Sequence, residues 1–137
     1  MPITDPIANL LCMVKNGVTR KKKDIIIDSS NVRKEIMRIL KDEKYIENFE
    51  ILEPTVDKKR KFEQIKIYFR YLENGESFIR DVKRVSKPGK RIYVNSTNIP
   101  IVLNHIGIAI ISTNKGILTD AHARQQHVGG EYLCKIW

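Results

Sequence analysis

The sequence contains few of the residues on which disulfide-rich, zinc-binding or membrane-spanning proteins depend. Cysteine occurs at two of 137 positions, Cys12 and Cys134, and the three histidines stand at no metal-ligand spacing from them. A disulfide framework and a structural metal are therefore disfavoured, and a reducing compartment fits better. No apolar run approaches the ~18 residues of a transmembrane helix, and the first residues lack the pattern of a signal peptide. We expect a soluble protein with no membrane partner.

Common catalytic and nucleotide-binding motifs are also missing. Neither Gly-x-x-x-x-Gly-Lys-[Ser/Thr] nor Gly-x-Gly-x-x-Gly occurs, so neither type of phosphate-binding loop is predicted. Ser112 has no histidine at a recognisable nucleophile spacing, and neither cysteine stands in an electropositive setting that would activate its thiol. We predict that the protein is not an enzyme and that it uses no cofactor and no metal.

Positive charge is what the sequence has in excess. Lys and Arg number 25 against 16 Asp and Glu, which gives a formal net charge of +9. Hydrophobic residues make up 42% of the chain, which is enough for a packed core. A folded, strongly basic protein is typical of nucleic-acid binders, although a solvated basic protein without such a partner has the same composition.

The N-terminal half has the pattern α-β-α-β-β. Asp5-Pro6 begins a helix that Asn16-Gly17 is expected to end, residues 25–27 form a strand, and residues 28–30 can cap a second helix. Two strands follow, separated by a charged turn over residues 57–61. The expected inner residues of the second helix are Val32, Ile36, Ile39 and Leu40; the expected outer residues are Arg33, Lys34, Arg38 and Lys41, with Glu35 near Arg38.

The C-terminal half is predicted to be mainly strand. Asn74-Gly75 is a strong hairpin signal, expected to lead into a strand over residues 78–85. Later segments predict a brief helix beginning at Pro100, a strand covered on both faces over residues 107–111, and a helix over residues 121–126. The fold class is therefore α+β with two small packed modules: an N-terminal α/β module, residues 1–74, and a mainly β module with short helices, residues 75–137.

A run of polar residues follows the nearly apolar strand predicted over residues 107–111. Its members are Ser112, Thr113, Asn114, Lys115 and Gly116. Hydroxyl and amide groups can meet the 2′-hydroxyls and base edges of RNA, a lysine can meet phosphate, and a glycine allows close approach to the backbone. The same residue types also form turns in which they hydrogen-bond their own backbone. The run predicts either an RNA contact or a turn.

Three residues in or just before a short strand predicted over residues 91–94 are further candidates. Tyr93 can stack on a base or ribose, or it can be a half-buried strand residue. Lys87 and Arg91 suit phosphate groups, although basic residues at a strand edge also prevent edge pairing.

Two more segments complete the set of candidate contacts. Gly129, Gly130 and Glu131 precede the last predicted strand and could present backbone groups and a carboxylate beside the polar run. Near the start, Lys15 and Asn16 stand just before the basic residues 20–23 and could contribute to phosphate neutralisation.

Together these segments resemble the eighth protein of the small ribosomal subunit, of bacterial or organellar type. The resemblance rests on three blocks in the family's order, residues 84–93, 107–120 and 129–134, and on Asp5-Pro6-Ile7-Ala8 and Asn16-Gly17 near the start. It spans nearly the full chain. The chain departs from the family at Asn114, where serine is usual, and at Met13, where arginine is common.

The resemblance implies a structural constituent of the small subunit that binds the central domain of the small-subunit ribosomal RNA and supports its assembly. The alternative is a translational repressor that binds its own operon mRNA through the same surface. The implied protein neighbour is the fifth protein of the small subunit. The implied location is the cytoplasmic ribosome of a bacterium, or the ribosome of a plastid or mitochondrion. The expected RNA-binding residues are Ser112, Thr113, Asn114, Lys115, Gly116, Tyr93, Arg91, Lys87, Gly129, Gly130, Glu131, Lys15 and Asn16.

Overall fold

A computed structural model describes residues 5–55 and 62–137 of the chain. Helices and antiparallel sheets occur together, which confirms the predicted α+β class. The chain divides into two compact units: Met13–Phe78, here called the three-stranded unit, and Ile79–Trp137 with the N-terminal residues through Cys12, here called the five-stranded unit. The boundary predicted between residues 74 and 75 stays a prediction, and the predicted turn over residues 57–61 lies outside the described residues.

The predicted order α-β-α-β-β of the N-terminal half is confirmed. The helices are α1 (Pro6–Thr19), α2 (Asn31–Asp42) and α3 (Asp120–Gln126), and Leu103–His105 form a short 3-10 turn. The strands are β1 (Asp24–Asp28), β2 (Ile46–Leu52), β3 (Gln64–Phe69), β4 (Val82–Arg84), β5 (Tyr93–Val94), β6 (Ile108–Thr113), β7 (Gly116–Thr119) and β8 (Gly130–Ile136).

Helix α1 begins where the sequence predicts but ends later. The Asp5 carboxylate accepts a hydrogen bond from the Ala8 amide at 3.2 Å, as a capping residue does. The expected stop at Asn16-Gly17 is wrong, because the helix continues to Thr19. Gly17 is buried, and a Cβ there would lie 2.7 Å from Cε2 of Phe69. This glycine serves the close packing of an aromatic ring against the helix, and not the end of the helix.

Helix α2 is capped by Ser30, whose hydroxyl accepts from the Arg33 amide at 3.1 Å. Ile36, Ile39 and Leu40 are buried as predicted. The other predicted inner residue, Val32, is wrong, since it is 39% exposed.

Arg33 corrects the predicted outer face of α2. The residue is buried, and its Nη1 donates to the carbonyl oxygen of Asp28 at 2.9 Å. The guanidinium reaches back to the end of β1, a tertiary contact that helical spacing does not reveal. The predicted pairing of Glu35 with Arg38 is confirmed by an ion pair.

The three-stranded sheet has the antiparallel order β1-β3-β2. Ile65, Ile67 and Phe69 of β3 are buried on one face, as their alternation predicts. The opposite face of β3 carries Lys66 and Tyr68, so the sheet has one apolar and one polar face.

The five-stranded sheet is built around β8. Its order is β4-β8-β6-β7, and β5 also pairs with β8, beside the first residues of that strand. Residues 108–111 of β6 are all buried, which confirms the prediction of a strand covered on both faces. Because β8 has partners on both sides, it forms a rigid base for the residues at the end of β6.

Several predicted elements of the C-terminal half differ from the structure. Tyr71 and Ser77 form an isolated bridge around the Asn74-Gly75 turn, and the strand expected over residues 78–85 shortens to β4, which pairs with β8. The helix expected at Pro100 is wrong, since the backbone turns at Leu103–His105 instead. Positive φ angles at Leu103 and Asn104 stop helix growth there. The predicted helix over residues 121–126 is confirmed as α3.

Candidate nucleic-acid interface

The polar run Ser112 to Gly116 forms the end of a β-hairpin. Ser112 and Thr113 are the last residues of β6, Asn114 and Lys115 make the turn, and Gly116 begins β7. The strand expected to end at residue 111 is two residues longer than predicted. It continues because Ser112 and Thr113 pair with β7 on one side and with β8 on the other.

Thr113 and Gly116 shape the turn. The Thr113 hydroxyl donates to the carbonyl oxygen of Gly116 at 2.8 Å and accepts from the Lys115 amide at 3.1 Å. Gly116 has a φ of +106°, in the region that favours glycine, and no atom lies within 4 Å of the position of an added Cβ. Thr113 therefore uses its hydroxyl proton inside the hairpin, while the Gly116 backbone is open to a partner.

Three side chains at the hairpin end have no partner in the described part of the chain. Ser112, Asn114 and Lys115 make neither a side-chain hydrogen bond nor an ion pair with any described residue, and Asn114 and Lys115 are exposed. A hydroxyl, an amide and an ammonium group are thus held on a tight turn with their hydrogen-bonding capacity unused. We call Ser112, Asn114, Lys115 and Gly116 the hairpin end.

A tyrosine and a carboxylate stand in the same row of the sheet as Ser112. Glu131 of β8 is the register partner of both Ser112 and Tyr93. Directly opposed residues of antiparallel strands have their side chains on the same face. Tyr93 is 68% exposed, and no described cation lies over its ring. The structure therefore brings Ser112 and Glu131 together, as the sequence predicts, and it adds an open aromatic ring beside them.

Glu131 is fixed by two donors. The Ser86 hydroxyl donates to Oε2 of Glu131 at 2.5 Å, and Nη1 of Arg91 donates to the same oxygen at 3.0 Å. Burial opposes ionisation of Glu131, but the hydrogen bonds from Ser86 and Arg91 outweigh it, so the pKa of Glu131 lies below its usual value. The carboxylate acts as an ionised anchor that orients Arg91.

Sequence reasoning missed Ser86. It is fully buried, donates to Glu131, and accepts from the Ile92 amide at 3.1 Å. Its neighbours in the chain carry no sign of the contact with Glu131, because that residue is 45 positions away in the sequence. Lys87, the next residue, is exposed and forms a bridge with Lys90 across the turn at residues 88–89.

The two glycines before Glu131 have a packing role. A Cβ on Gly130 would lie 2.0 Å from the carbonyl oxygen of Ser112, and one on Gly129 would lie 2.4 Å from that of Val94. Side chains at these positions would separate β8 from β6 and from β5. The close approach of strands accounts for both glycines, and their predicted contact with RNA stays a prediction.

Lys15 and Asn16 lie on α1 in the three-stranded unit, and both are exposed. Asn16 lines a surface hollow together with Met13, Arg20 and Lys22. Arg20 and Lys22 give the hollow a basic rim. Met13 contributes an apolar side chain, at a position where the family that the sequence resembles commonly has arginine.

The cysteines are not candidates for nucleophiles at this interface. Cys12 is exposed and Cys134 is buried, and both are free thiols. Burial raises the pKa of the Cys134 thiol to about 12. Among residues 5–55 and 62–137, no three side chains of His, Cys, Asp or Glu cluster as metal ligands would. None of the helices in the same residues has the length and apolar character needed to cross a membrane.

Comparisons with known proteins agree with the family resemblance. Residues 5–137 match the family described as Ribosomal protein S8. The chain is similar over its whole length to the small ribosomal subunit protein uS8 of Halothermothrix orenii, with 44% identity over 137 residues and full coverage of both chains. It is 49% identical over 135 residues, 98% of each chain, to the protein of the same name from Mycoplasmopsis pulmonis. The Geobacter metallireducens protein of that name is 43% identical over 137 residues, again covering both chains fully.

Proposed function

Because the chain belongs to the ribosomal protein S8 family of the small ribosomal subunit, we propose that it binds the central domain of the small-subunit ribosomal RNA and supports its assembly. Membership makes the chain a structural ribosomal protein with a role in translation. The prediction that it is not an enzyme agrees with this family, whose members are structural proteins.

The hairpin end carries the proposal. Ser112 and Asn114 offer a hydroxyl and an amide that can exchange hydrogen bonds with 2′-hydroxyls and base edges, and neither group has a described partner. Lys115 offers an ammonium group to phosphate, and the open Gly116 backbone lets an RNA strand approach closely. These groups suit a shallow RNA minor groove, where sugars and base edges are accessible.

The sheet supports recognition by holding these groups in place. Ser112 pairs with strands on both sides, and Thr113 closes the turn through its two hydrogen bonds. A preformed contact surface loses less conformational entropy on binding than a flexible loop does. Tyr93 adds an exposed ring on the face of Ser112, suitable for stacking on a base or ribose.

The remaining predicted contacts would have supporting roles in RNA binding. Arg91, held by Glu131, and the exposed Lys87 would neutralise phosphates, and Gly129, Gly130 and Glu131 would form the border of the surface. On α1, Lys15 and Asn16 would make a second, weaker RNA contact.

Two further partners belong to the proposal through the family resemblance. The same surface would bind the protein's own operon mRNA if that message carries a similar stem. The fifth protein of the small subunit would be the protein neighbour.

Ribonuclease footprinting on small-subunit ribosomal RNA tests the proposed function. We expect the purified protein to protect one compact stem in the central domain, and to bind that stem more tightly than a scrambled stem of equal length. Asn114→Ala should reduce this preference, whereas Asn48→Ala, an exposed asparagine of β2, is the matched control and should leave it unchanged. Equal affinity of the parent protein for both stems would contradict the proposal.

A further inference from the structure

Four lysines line one groove at the edge of the five-stranded sheet. Lys83 belongs to β4, Lys135 to β8, and Lys87 and Lys90 flank the turn between β4 and β5. We call these four residues the lysine groove. The other residues of its lining are Arg84, Val85, Ile92 and Tyr132. Lys87 is a predicted contact from the sequence, and the fold gathers three more lysines around it.

Like charges face each other twice in this groove. Lys83 is the direct register partner of Lys135 in the β4–β8 pair. Lys87 and Lys90 are bridge partners, with reciprocal backbone hydrogen bonds of 3.0 and 2.9 Å. Like charges directly opposite each other on antiparallel strands are destabilising. The free protein therefore keeps two repulsive lysine pairs that an anion between them would relieve.

No carboxylate of the described chain neutralises these lysines. Arg84, which also lines the groove, forms an ion pair with Asp5. Nε of Arg84 and Oδ2 of Asp5 are 3.1 Å apart. Glu131 already accepts hydrogen bonds from Ser86 and Arg91. None of the four lysines forms an ion pair with a residue in the ranges 5–55 and 62–137.

The backbone around the groove is fixed. The Val85 and Ser86 amides donate to the carbonyl oxygens of Leu133 and Tyr132, each at 3.0 Å, so the segment before the turn is anchored to β8. The ammonium of Lys135 lies 5.6 Å from the centre of the Trp137 ring, which restricts that side chain as well. The backbone that carries these lysines is therefore in place before any ligand binds, and the Lys135 side chain is restricted as well.

We propose that the lysine groove binds the phosphodiester backbone of the RNA whose bases and sugars are read at the hairpin end. The inference rests on the proposed function and adds a phosphate site to it. Lys87 and Lys90 flank the turn that leads into β5, where Tyr93 is the register partner of Glu131. The turn thus joins the groove to the row that contains Tyr93 and Ser112, and this connection favours RNA over an acidic protein as the ligand.

A paired substitution with a matched control tests the groove. Lys83→Gln with Lys135→Gln removes one repulsive pair, and Lys41→Gln with Lys44→Gln removes the same charge from exposed lysines at the end of α2. Each protein is titrated with the protected stem and with a scrambled stem at several salt concentrations. Its urea midpoint is measured without RNA, and circular dichroism verifies the fold.

For the Lys83→Gln, Lys135→Gln variant, the salt slope of RNA binding should fall and the urea midpoint should rise. Loss of two phosphate contacts should lower the slope of log K against log salt by about 1.4 to 1.8, and by the same amount for both stems. The urea midpoint of the free protein should rise, because a like-charge pair is gone. Lysines with a purely structural role would lower the midpoint and leave the slope unchanged. The α2 control should keep the parent slope.

Failure of the groove and failure of the proposed function can be told apart. If the parent prefers the protected stem but the groove variant titrates like the parent on both stems, the groove does not bind RNA, and an acidic protein becomes the better ligand. If the parent shows no preference, the proposed function fails, while the slope on scrambled RNA still reports on the groove. Lys87→Gln with Lys90→Gln, on the turn, repeats the test without changing a strand.

Discussion

The two sheets place a tyrosine, a carboxylate and a cation close together, with different consequences. In the three-stranded sheet, the Tyr68 hydroxyl donates to Oε1 of Glu50 at 2.5 Å, and the Lys66 ammonium lies 5.2 Å from the centre of the Tyr68 ring. The hydrogen bond to Glu50 raises the pKa of Tyr68. In the five-stranded sheet, Glu131 is engaged by Ser86 and Arg91, which leaves the ring of Tyr93 open.

The difference teaches that residue types alone do not define a binding surface. The three groups of the first sheet satisfy one another, so a ligand would have to break existing interactions to bind them. The row that contains Tyr93 and Ser112 keeps an uncovered ring and an unused hydroxyl. What distinguishes the candidate interface is the set of groups that the protein itself leaves unpaired.

The largest effect is expected at Gly130 of the five-stranded unit, and Gly17 of the three-stranded unit is the comparison. Gly130→Ala places a Cβ 2.0 Å from a backbone oxygen of β6, which cannot move without separating two strands, so we expect a loss of ~3 kcal/mol or more in the free energy of unfolding. Gly17→Ala meets the Phe69 ring, which can shift, and alanine favours a helix, so the loss should be about 1 kcal/mol. Urea denaturation measures both.

Gly89→Ala serves as the control for these two changes. No atom lies within 4 Å of an added Cβ at Gly89, and we expect its unfolding midpoint to match that of the parent. Equal stability of the Gly130 and Gly89 variants would show that β6 and β8 do not need their close approach.

The next largest effect is expected from replacing Tyr93, and replacement of Tyr68 is the comparison. Tyr93→Ala should weaken binding to the protected stem by ~1 to 3 kcal/mol, because a base or ribose loses its stacking partner. Tyr68→Ala should lower stability while leaving the affinity within error, since that ring is already engaged by Lys66. Fluorescence titration and urea denaturation of both variants provide the test. Equal losses of affinity would remove the distinction between the two sheets.

A smaller effect is expected from substitutions in the hairpin end and at Thr113, which closes its turn. Asn114→Ala should reduce the preference for the protected stem over the scrambled stem by about 1 kcal/mol, roughly fivefold. Lys115→Ala should weaken both stems equally and reduce the salt slope by about one phosphate contact. Thr113→Ala should act through the turn, because the hydroxyl proton is already donated to Gly116. Unchanged affinity in all three variants would mean that the hairpin end is a turn without a role in recognition.

The smallest effect concerns acid stability. The pKa of Glu131 is lower in the folded protein than in the unfolded chain, so its ionised form stabilises the fold above the unfolded pKa of ~4.3. This contribution is lost as the pH falls through the folded pKa. Urea denaturation between pH 7 and pH 3 should show the parent losing more stability than Glu131→Gln, by about 1 kcal/mol or less. Parallel curves for the two proteins would contradict the role of Glu131 as an ionised anchor.

Local signals in the sequence predicted much of the fold. Asp5, Ser30 and Thr119 cap helices within a few residues of themselves, and the alternation of β3 is visible over six positions. These features depend on neighbours in the chain, so their patterns are sufficient.

The errors arose where distant residues decide the structure. Asn16-Gly17 predicts a helix stop, and nothing near it in the chain indicates that Phe69, 52 positions away, packs against Gly17. The charge of Arg33 predicts a solvent-facing side chain, but its guanidinium donates to the carbonyl oxygen of Asp28. At the interface, the polar run was predicted as a group, whereas the partners of each hydroxyl and amide required the register of β6, β7 and β8.

The contrast between the two cysteines provides a specific handle for labelling. A thiol with a pKa of about 12 carries almost no thiolate at neutral pH, so maleimide reagents should leave the buried Cys134 unmodified. Cys12 is exposed on α1 and is the other cysteine in the sequence. A fluorophore can therefore be attached at one defined position of the unaltered chain, and the RNA titrations need no engineered cysteine and no cysteine-free background.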